Sequence, residues 1–165
     1  RKYLYSENGF VEKAEWKPNA RVNVECPDDN DFQFLTQELK VPESFLEDIA
    51  DVDERPRTET EDNWLLTILR TPDAEQQRGV PFITVPIGII TNDGIIVSVC
   101  YHHTELIPDF IQHHPPEEHS RQQINWYLIL RIIYSSAVWF LKYLEKNKQR
   151  CGHRPKKSWR KASAT

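Results

Sequence analysis

The sequence predicts an α/β fold of the α+β kind, with a mixed β-sheet, covering helices and a long C-terminal helix. Three observations carry this expectation. Two apolar runs, Phe82 to Thr91 and Ile95 to Tyr101, flank Asn92-Asp93-Gly94, whose residues tolerate positive φ, so they form a β-hairpin. Strand-like segments come early and helical ones late, as around a single sheet. After Pro115-Pro116 the chain reads as one helix from about Glu117 to about Lys148. At 165 residues it is long enough for one domain with a real core and too short for two ordinary ones.

Taken in order, Lys2 to Ser6 and Phe10 to Glu15 read as short strands around a Glu7-Asn8-Gly9 turn. Arg21 to Cys26 alternates as a third strand, with Val22 and Val24 on one face. Asp28 or Asp29 caps the next helix, in which Phe32, Leu35 and Leu39 fall at helical spacing. An acidic helix begins near Pro42, and a strand runs from Trp64 to Arg70 before the hairpin. Thr104 caps a short helix that reaches His113. The expected units are residues 1–116 as an α/β domain, 117–149 as a long helix packed on it, and 150–165 as a basic tail.

Charge is lopsided although the net value is only −4. Residues 28–62 are strongly acidic. From Lys142 onward only Glu145 opposes Lys146, Lys148, Arg150, Arg154, Lys156, Lys157, Arg160 and Lys161. Such polarity suits association between unlike faces, or attraction of cations to the first region and anions to the second. Cys26, Cys100 and Cys151 are odd in number and widely spaced, which indicates neither a disulfide framework nor a thiolate zinc site and fits a reducing cytosol. No signal peptide is expected in this sequence, since Arg1 to Phe10 lacks an apolar core of the required length. Methionine is absent, so the expectation is a start upstream of Arg1, or methionines missing from the recorded sequence.

The most informative stretch is Pro42 to Pro72. Pro42 suits the first turn of a helix, where its missing N–H costs nothing, and Phe45, Leu46 and Ile49 then share one apolar face. Glu47, Asp48 and Asp51 fall on the rest of that helix, with Glu47 and Asp51 one turn apart and Asp48 and Asp51 three residues apart. Like charges at that spacing repel, and two agents would offset them: Arg55 and Arg57 locally, or a hard cation such as Mg²⁺ held by oxygen ligands and retained water. A solvated acidic face is the plainer alternative.

Leu46-Glu47-Asp48-Ile49, then Arg55-Pro56-Arg57, then acidic Glu59 to Asn63 leading into the strand from Trp64, resembles the cytoplasmic domain of CorA-type magnesium and cobalt transporters. The resemblance covers most of the chain up to about residue 148. It implies a three-layer α/β/α sandwich that feeds a long stalk helix, and a regulatory rather than catalytic role. It further implies homopentameric self-association on the cytoplasmic side of the inner membrane, with Mg²⁺, or alternatively Co²⁺, bound between neighbouring subunits. Asp48 occupies the family's sensor position, with Glu47 and Asp51 as neighbouring candidates. The family partner of Asp48 is an aspartate further along the stalk, beyond the point where this chain ends or diverges. The family's two membrane helices and Gly-Met-Asn signature are also absent from the sequence, so the expectation is a domain that reaches the membrane only through a missing C-terminal segment.

Trp126 to Leu144 imitates a membrane span, being apolar on nearly every face and close to the ~20 residues a bilayer requires. Arg131 argues against that reading, because a central arginine costs about 2.5 to 3.5 kcal/mol on insertion, and Ser135 and Ser136 follow it. Burial between a sheet and other helices, or between subunits, accounts for such a helix equally well. Beyond it, Cys151-Gly152-His153-Arg154-Pro155 breaks the expected stalk, and the tail is expected to be non-native or poorly ordered.

The rival function is a soluble metal-dependent hydrolase or metal-binding protein. His102, His103, His113, His114 and His119 surround one short helix, and with Glu105 or Asp109 they would suit zinc or nickel. No His-Glu-x-x-His pattern supports it. Gly-x-Ser-x-Gly elbows, phosphate-binding glycine loops and dinucleotide fingerprints are all absent, and five glycines leave few places for one. Asp28, Asp29 and Asp31 lack the glycine and distal glutamate of a calcium loop. The basic tail with Trp159 belongs to no recognisable nucleic-acid module, so nucleic acid is not an expected partner. The sequence therefore points to a non-enzymatic domain whose metal candidates are Asp48, Glu47 and Asp51.

Overall fold

Alternation of apolar residues in the central strands puts one set on each face, so the sheet must be covered on both sides. The computed structural model describes residues 1–6, 10–13, 15–16, 21–73, 83–92, 94–113 and 121–152. Its strands are β1 (Lys2–Ser6), β2 (Phe10–Lys13), β3 (Arg21–Glu25), β4 (Arg57–Glu61), β5 (Trp64–Asp73), β6 (Ile83–Asn92) and β7 (Ile95–Cys100). Its helices are α1 (Asp29–Gln33), which widens into a π-helical segment (Phe34–Glu38), then α2 (Glu43–Ala50), α3 (Leu106–His113) and α4 (Arg121–Gly152). The seven strands form one sheet in the order β2-β1-β3-β7-β6-β5-β4. Among the described strands only β3 and β7 pair in parallel, with Val22 opposite Val97 and Val24 opposite Val99. The mixed sheet and the long last helix are those expected from the sequence.

One layer of core lies between the sheet and α1, its π segment and α2. It contains Val22, Val24, Leu66, Ile68, Ile90, Val97 and Val99 from the strands, against Phe34, Leu35, Phe45, Leu46 and Ile49. The second layer contains Val85, Ile87, Ile89, Ile96 and Cys100 against Leu106, Ile107, Ile129 and Ile132 of α3 and α4. Neighbouring residues of β6 and β7 thus serve opposite layers, as a pleated strand requires. Burial near 25 cal/mol per Å² of apolar surface makes these two layers the main source of stability.

Local chemistry sets the element ends. Asp28 caps α1 by accepting from the Asp31 N–H at 2.8 Å, while the Asp31 carboxylate accepts from the Asp28 N–H at 3.3 Å. The bond from the Asp31 N–H first, with further hydrogen bonds from Asn30 and the Asp31 side chain, holds the Asp28 carboxyl below the usual range. Thr104 Oγ1 accepts from the Leu106 N–H at 3.1 Å, the expected cap of α3. At the β6–β7 hairpin, Asn92 pairs with Ile95. Gly94 there has φ 125°, a conformation for glycine.

Three details differ from the sequence reading. Arg57 to Glu61 is a strand, pairing antiparallel with β5 from Arg57 opposite Ile68 to Glu61 opposite Trp64. Its turn is Asp62-Asn63 with φ 47° and 64°, a two-residue hairpin in left-handed backbone. Acidic composition hid it, since an edge strand exposed along its length needs no apolar alternation. In the first helical segment, π-helical widening brings Phe34 into the core beside Leu35, whereas Phe32 is only half-buried. Helix α4 continues past Lys148 to Gly152. The Glu7-Asn8-Gly9 turn, Pro115-Pro116 and residues 153–165 lie outside the described residues.

Helix α2 crosses the sheet very closely at Gly88. A Cβ there would stand 2.1 Å from Ile49 Cδ1 and 2.5 Å from Ile49 Cγ1. We predict that Gly88→Ala destabilises the fold by about 1 to 3 kcal/mol in urea unfolding. Adding Ile49→Val, which removes Cδ1, should recover part of the loss. A loss of stability equal to the sum of the single changes would contradict this contact.

Candidate functional site

The C-terminal end of α2 and the loop into β4 gather the acidic candidates. Burial of Phe45, Leu46 and Ile49 fixes the helix on the sheet, which leaves Asp48 half-buried and Glu47 and Asp51 exposed. Asp51 closes the helix: its N–H donates to the Glu47 carbonyl at 3.2 Å, and its carboxylate accepts from the Asp53 N–H at 2.9 Å. The Glu54 N–H then donates to the Asp51 carbonyl at 3.0 Å, turning the chain toward β4.

Arg57, the first residue of β4, is the centre of charge here. Its Nη2 donates to Asp48 Oδ2 at 2.5 Å and to Glu59 Oε2 at 3.0 Å, its Nε donates to Glu59 Oε2 at 3.1 Å, and its Nη1 pairs with Glu54 Oε1. Hydrogen bonds to Glu54 and then Glu59 push the guanidinium still further above its ordinary value. The bond from Arg57 first, and that from the Arg55 N–H second, hold the Glu54 carboxyl below the usual carboxylate range. Of the two arginines expected to offset the acidic helix, Arg57 reaches Asp48, and Arg55 contributes its backbone N–H to Glu54 Oε1 at 2.8 Å. Ser44 donates to Glu61 Oε2 at 2.8 Å, a second link between α2 and β4.

Glu54 and Glu59 were missed in the sequence reading. The signal was present: strand alternation puts Glu59 on the same face as Arg57. Arg70 was missed as well. It donates from Nη1 to the carbonyls of Val52 at 2.9 Å and Glu54 at 2.7 Å, from Nε to Thr84 Oγ1 at 3.0 Å, and from Nη2 to the Thr84 carbonyl. The loop carrying Glu54 is thereby tied to β5 and β6. No periodicity announces such a contact, because it joins residues 16 and 18 positions apart.

Among the described residues, no three His, Cys, Asp or Glu side chains converge where they could hold a metal ion. Asp48, Glu47 and Asp51 carry oxygen donors of the kind a hard cation takes, but they do not converge on one point. Among the described residues, His102 and His103 face different carboxylates. His102 Nδ1 lies 3.8 Å from Asp73 Oδ2, while the exposed His103 has Nδ1 4.0 Å from a different carboxylate, Glu25. Asp109 accepts from Trp139 Nε1 at 3.3 Å and lies 3.8 Å from Lys142 Nζ, and Glu105 is exposed. The side chain of His113, together with His114 and His119, lies outside the described residues. Cys26 and Cys100 are free thiols, and burial pushes Cys100 up to about 11, away from a thiolate ligand at neutral pH.

Residues 22–160 match the family described as CorA-like Mg2+ transporter protein. The chain belongs to the CorA family. Its fold is similar to the complete CorA magnesium transporter of Methanocaldococcus jannaschii (TM-score 0.66, 18% identity, 90% of this chain and 49% of that one). It is also similar to the soluble domain of that CorA (TM-score 0.68, 18% identity, 91% and 62%) and to the ZntB cytoplasmic domain of Vibrio parahaemolyticus (TM-score 0.64, 16% identity, 90% and 62%). The chain thus spans about half of the full transporter and about three fifths of each soluble domain. Comparison with curated proteins gives no match. Within the CorA family fold, Asp48 lies at the end of α2 beside the β4 edge of the sheet.

Two outcomes test this geometry. Arg70→Met, which removes charged donors from four carbonyl or hydroxyl acceptors, should cost about 1.5 to 3 kcal/mol in denaturant unfolding, whereas Arg57→Gln on the exposed edge should cost about 1 kcal/mol or less. Because the folded-state Glu54 carboxyl is depressed, the unfolded chain binds its proton more readily, and stability rises with pH through the acid range. The stability difference between parent and Arg57→Gln should hold from neutral pH down to about 4.3, the ordinary glutamate value, and fade below it. A difference that grows on acidification contradicts the Arg57–Glu54 pair.

Proposed function

We propose that this chain is the cytoplasmic regulatory and assembly domain of a CorA-family divalent cation transport protein, sensing Mg²⁺ rather than catalysing a reaction. The observation that carries this reading is the family match over residues 22–160, which includes the acidic end of α2. The transported cation in this reading is Mg²⁺, with Co²⁺ as a second substrate, and the domain faces the cytoplasm beneath the inner membrane.

Asp48 is the sensor carboxylate in this account, with Glu47 and Asp51 reinforcing the local negative field. Mg²⁺ is small, demands oxygen ligands and gives up water reluctantly. One copy supplies only part of a coordination shell, so water and a neighbouring copy in a homopentamer provide the rest. In a single copy Arg57 neutralises Asp48, so the cation and the guanidinium compete for one carboxylate. Cation binding between copies favours one arrangement of the subunits over another, and regulation follows from that bias.

Mg²⁺ at ten times its Kd stabilises the folded chain by about 1.4 kcal/mol, read as a rise in melting temperature. Asp48→Asn should abolish that rise while leaving the cation-free melt close to the parent. Arg57→Gln, which removes the competitor, should enlarge it. Equal Mg²⁺-induced shifts in parent and Asp48→Asn would exclude Asp48 as the sensor.

A further inference from the structure

The parallel ladder of β3 and β7 ends with a cysteine on each chain segment. Cys100 is the last residue of β7, and Glu25 is its partner in the ladder. Cys26 follows Glu25, and its N–H donates to the Cys100 carbonyl at 2.8 Å. The two cysteines are therefore one step out of register on neighbouring segments. A strand spacing of about 4.8 Å and a rise of about 3.3 Å per residue put their Cα atoms about 6 Å apart. Disulfide-bonded cysteines are commonly separated by that distance.

Backbone conformation brings the two side chains toward one face. In an extended strand Cys26 would alternate to the side of Val22 and Val24, whereas Cys100 packs in the other layer with Ile96. Cys26 instead has φ 46°. Moving φ from the extended to the left-handed region swings Cβ about the N–Cα bond by more than a right angle, off the Val22 face and toward that of Glu25 and Cys100. The electrostatics agree. Burial first, then the carboxylates of Glu25 and Asp73, raise the Cys26 thiol above its ordinary value. Burial also comes first at Cys100, pushed up to about 11, and there Glu25, Cys26 and Asp73 add to it. Both sulfurs thus lie in the field of the same two carboxylates, and both stay protonated at neutral pH, which makes the dithiol the resting form. Cys26 is exposed, while Cys100 is buried with its Sγ donating to the Pro86 carbonyl at 3.4 Å. One thiol meets solvent and the other lies behind it, the arrangement of an attacking and a resolving cysteine.

We propose that Cys26 and Cys100 form a reversible disulfide, a redox latch that fastens β3 to β7 at the end of their ladder. The oxidant is a low-molecular-weight disulfide such as oxidised glutathione. The Cys26 thiolate attacks one sulfur of the oxidant and releases the first small thiolate, leaving a mixed disulfide at Cys26. Cys100 then turns about χ1, gives up the Pro86 carbonyl and loses its proton to solvent. Its sulfur attacks Cys26 Sγ and releases the second small thiolate. Two protein thiols and one small disulfide become one protein disulfide and two small thiols, and excess dithiol reverses the exchange. The latch joins the segment entering α1, capped at Asp28, to the segment entering α3, capped at Thr104, so the helices of both layers are tied at one point. It requires neither a cation nor a second copy of the chain, and it is independent of the role proposed for Asp48.

The test uses the 165-residue chain carrying Cys151→Ser, in which Cys26 and Cys100 are the remaining cysteines. It is incubated with oxidised glutathione in mildly alkaline buffer and mapped by mass spectrometry without reduction. Two peptides joined through Cys26 and Cys100 of the same chain are expected. Because the bridge closes a loop of about 75 residues, the oxidised chain should melt at least about 5 °C above the reduced one, and dithiothreitol should restore the lower value. Adding Cys26→Ser should abolish both the cross-link and the rise, while the reduced melt stays within about 1 °C of the parent, since Cys26 is exposed. Glutathione retained on Cys26 with Cys100 still a free thiol, a bridge between two chains, or an oxidised melting temperature no higher than the reduced one would each overturn the proposal.

Discussion

Arg70 joins all three layers of this domain. Its guanidinium holds the loop after α2 through the carbonyls of Val52 and Glu54 and braces β6 through Thr84, and its own carbonyl receives the Ser136 hydroxyl of α4. The acidic end of α2 is positioned from both sides by this arrangement. Ile49 seats the helix over Gly88, Arg70 fixes where the chain goes next, and Arg57 arrives on β4 facing Asp48. Remove the tie and Glu54 loses its place, and with it the partner that shares Arg57 with Asp48. Placement of the candidate cation site is thus a consequence of packing and hydrogen bonding at the sheet, rather than of the carboxylates themselves.

Apolar periodicity made much of this legible. The β6–β7 hairpin, the caps at Asp28 and Thr104, and the buried face Phe45, Leu46 and Ile49 each rest on a short-range rule, and the structure places them accordingly. The edge strand β4 escaped because Glu59, Thr60 and Glu61 are exposed, and the burial that writes alternation into a sequence was missing. Arg70 escaped because an arginine in an apolar strand announces neither its partners nor its depth. At the site, Asp48 and Arg57 were both singled out from the sequence, but their direct contact, and the sharing of Arg57 by Glu54 and Glu59, depend on how β4 pairs with β5.

The membrane-like look of α4 has a simple physical origin. Two apolar stripes on opposite faces of one helix leave few polar positions between them, so the sequence reads as apolar all round. Ser135 and Ser136 sit on the buried side, and the exposed apolar side chains are gathered on the other. Among the described residues, no helix is long and apolar enough to cross a membrane. The helix is thus committed to the sheet on one face and exposed on the other.

The central claim is that a hard divalent cation reads the domain at Asp48. Titrating an isotope-labelled chain with Mn²⁺, a paramagnetic stand-in for Mg²⁺, and following backbone amide broadening by nuclear magnetic resonance tests it most directly. The account predicts selective broadening of Glu47 to Asp51 at low Mn²⁺, reversed by excess Mg²⁺. Broadening confined to His102 and His103, or spread evenly over the acidic surface and untouched by Mg²⁺, would contradict it.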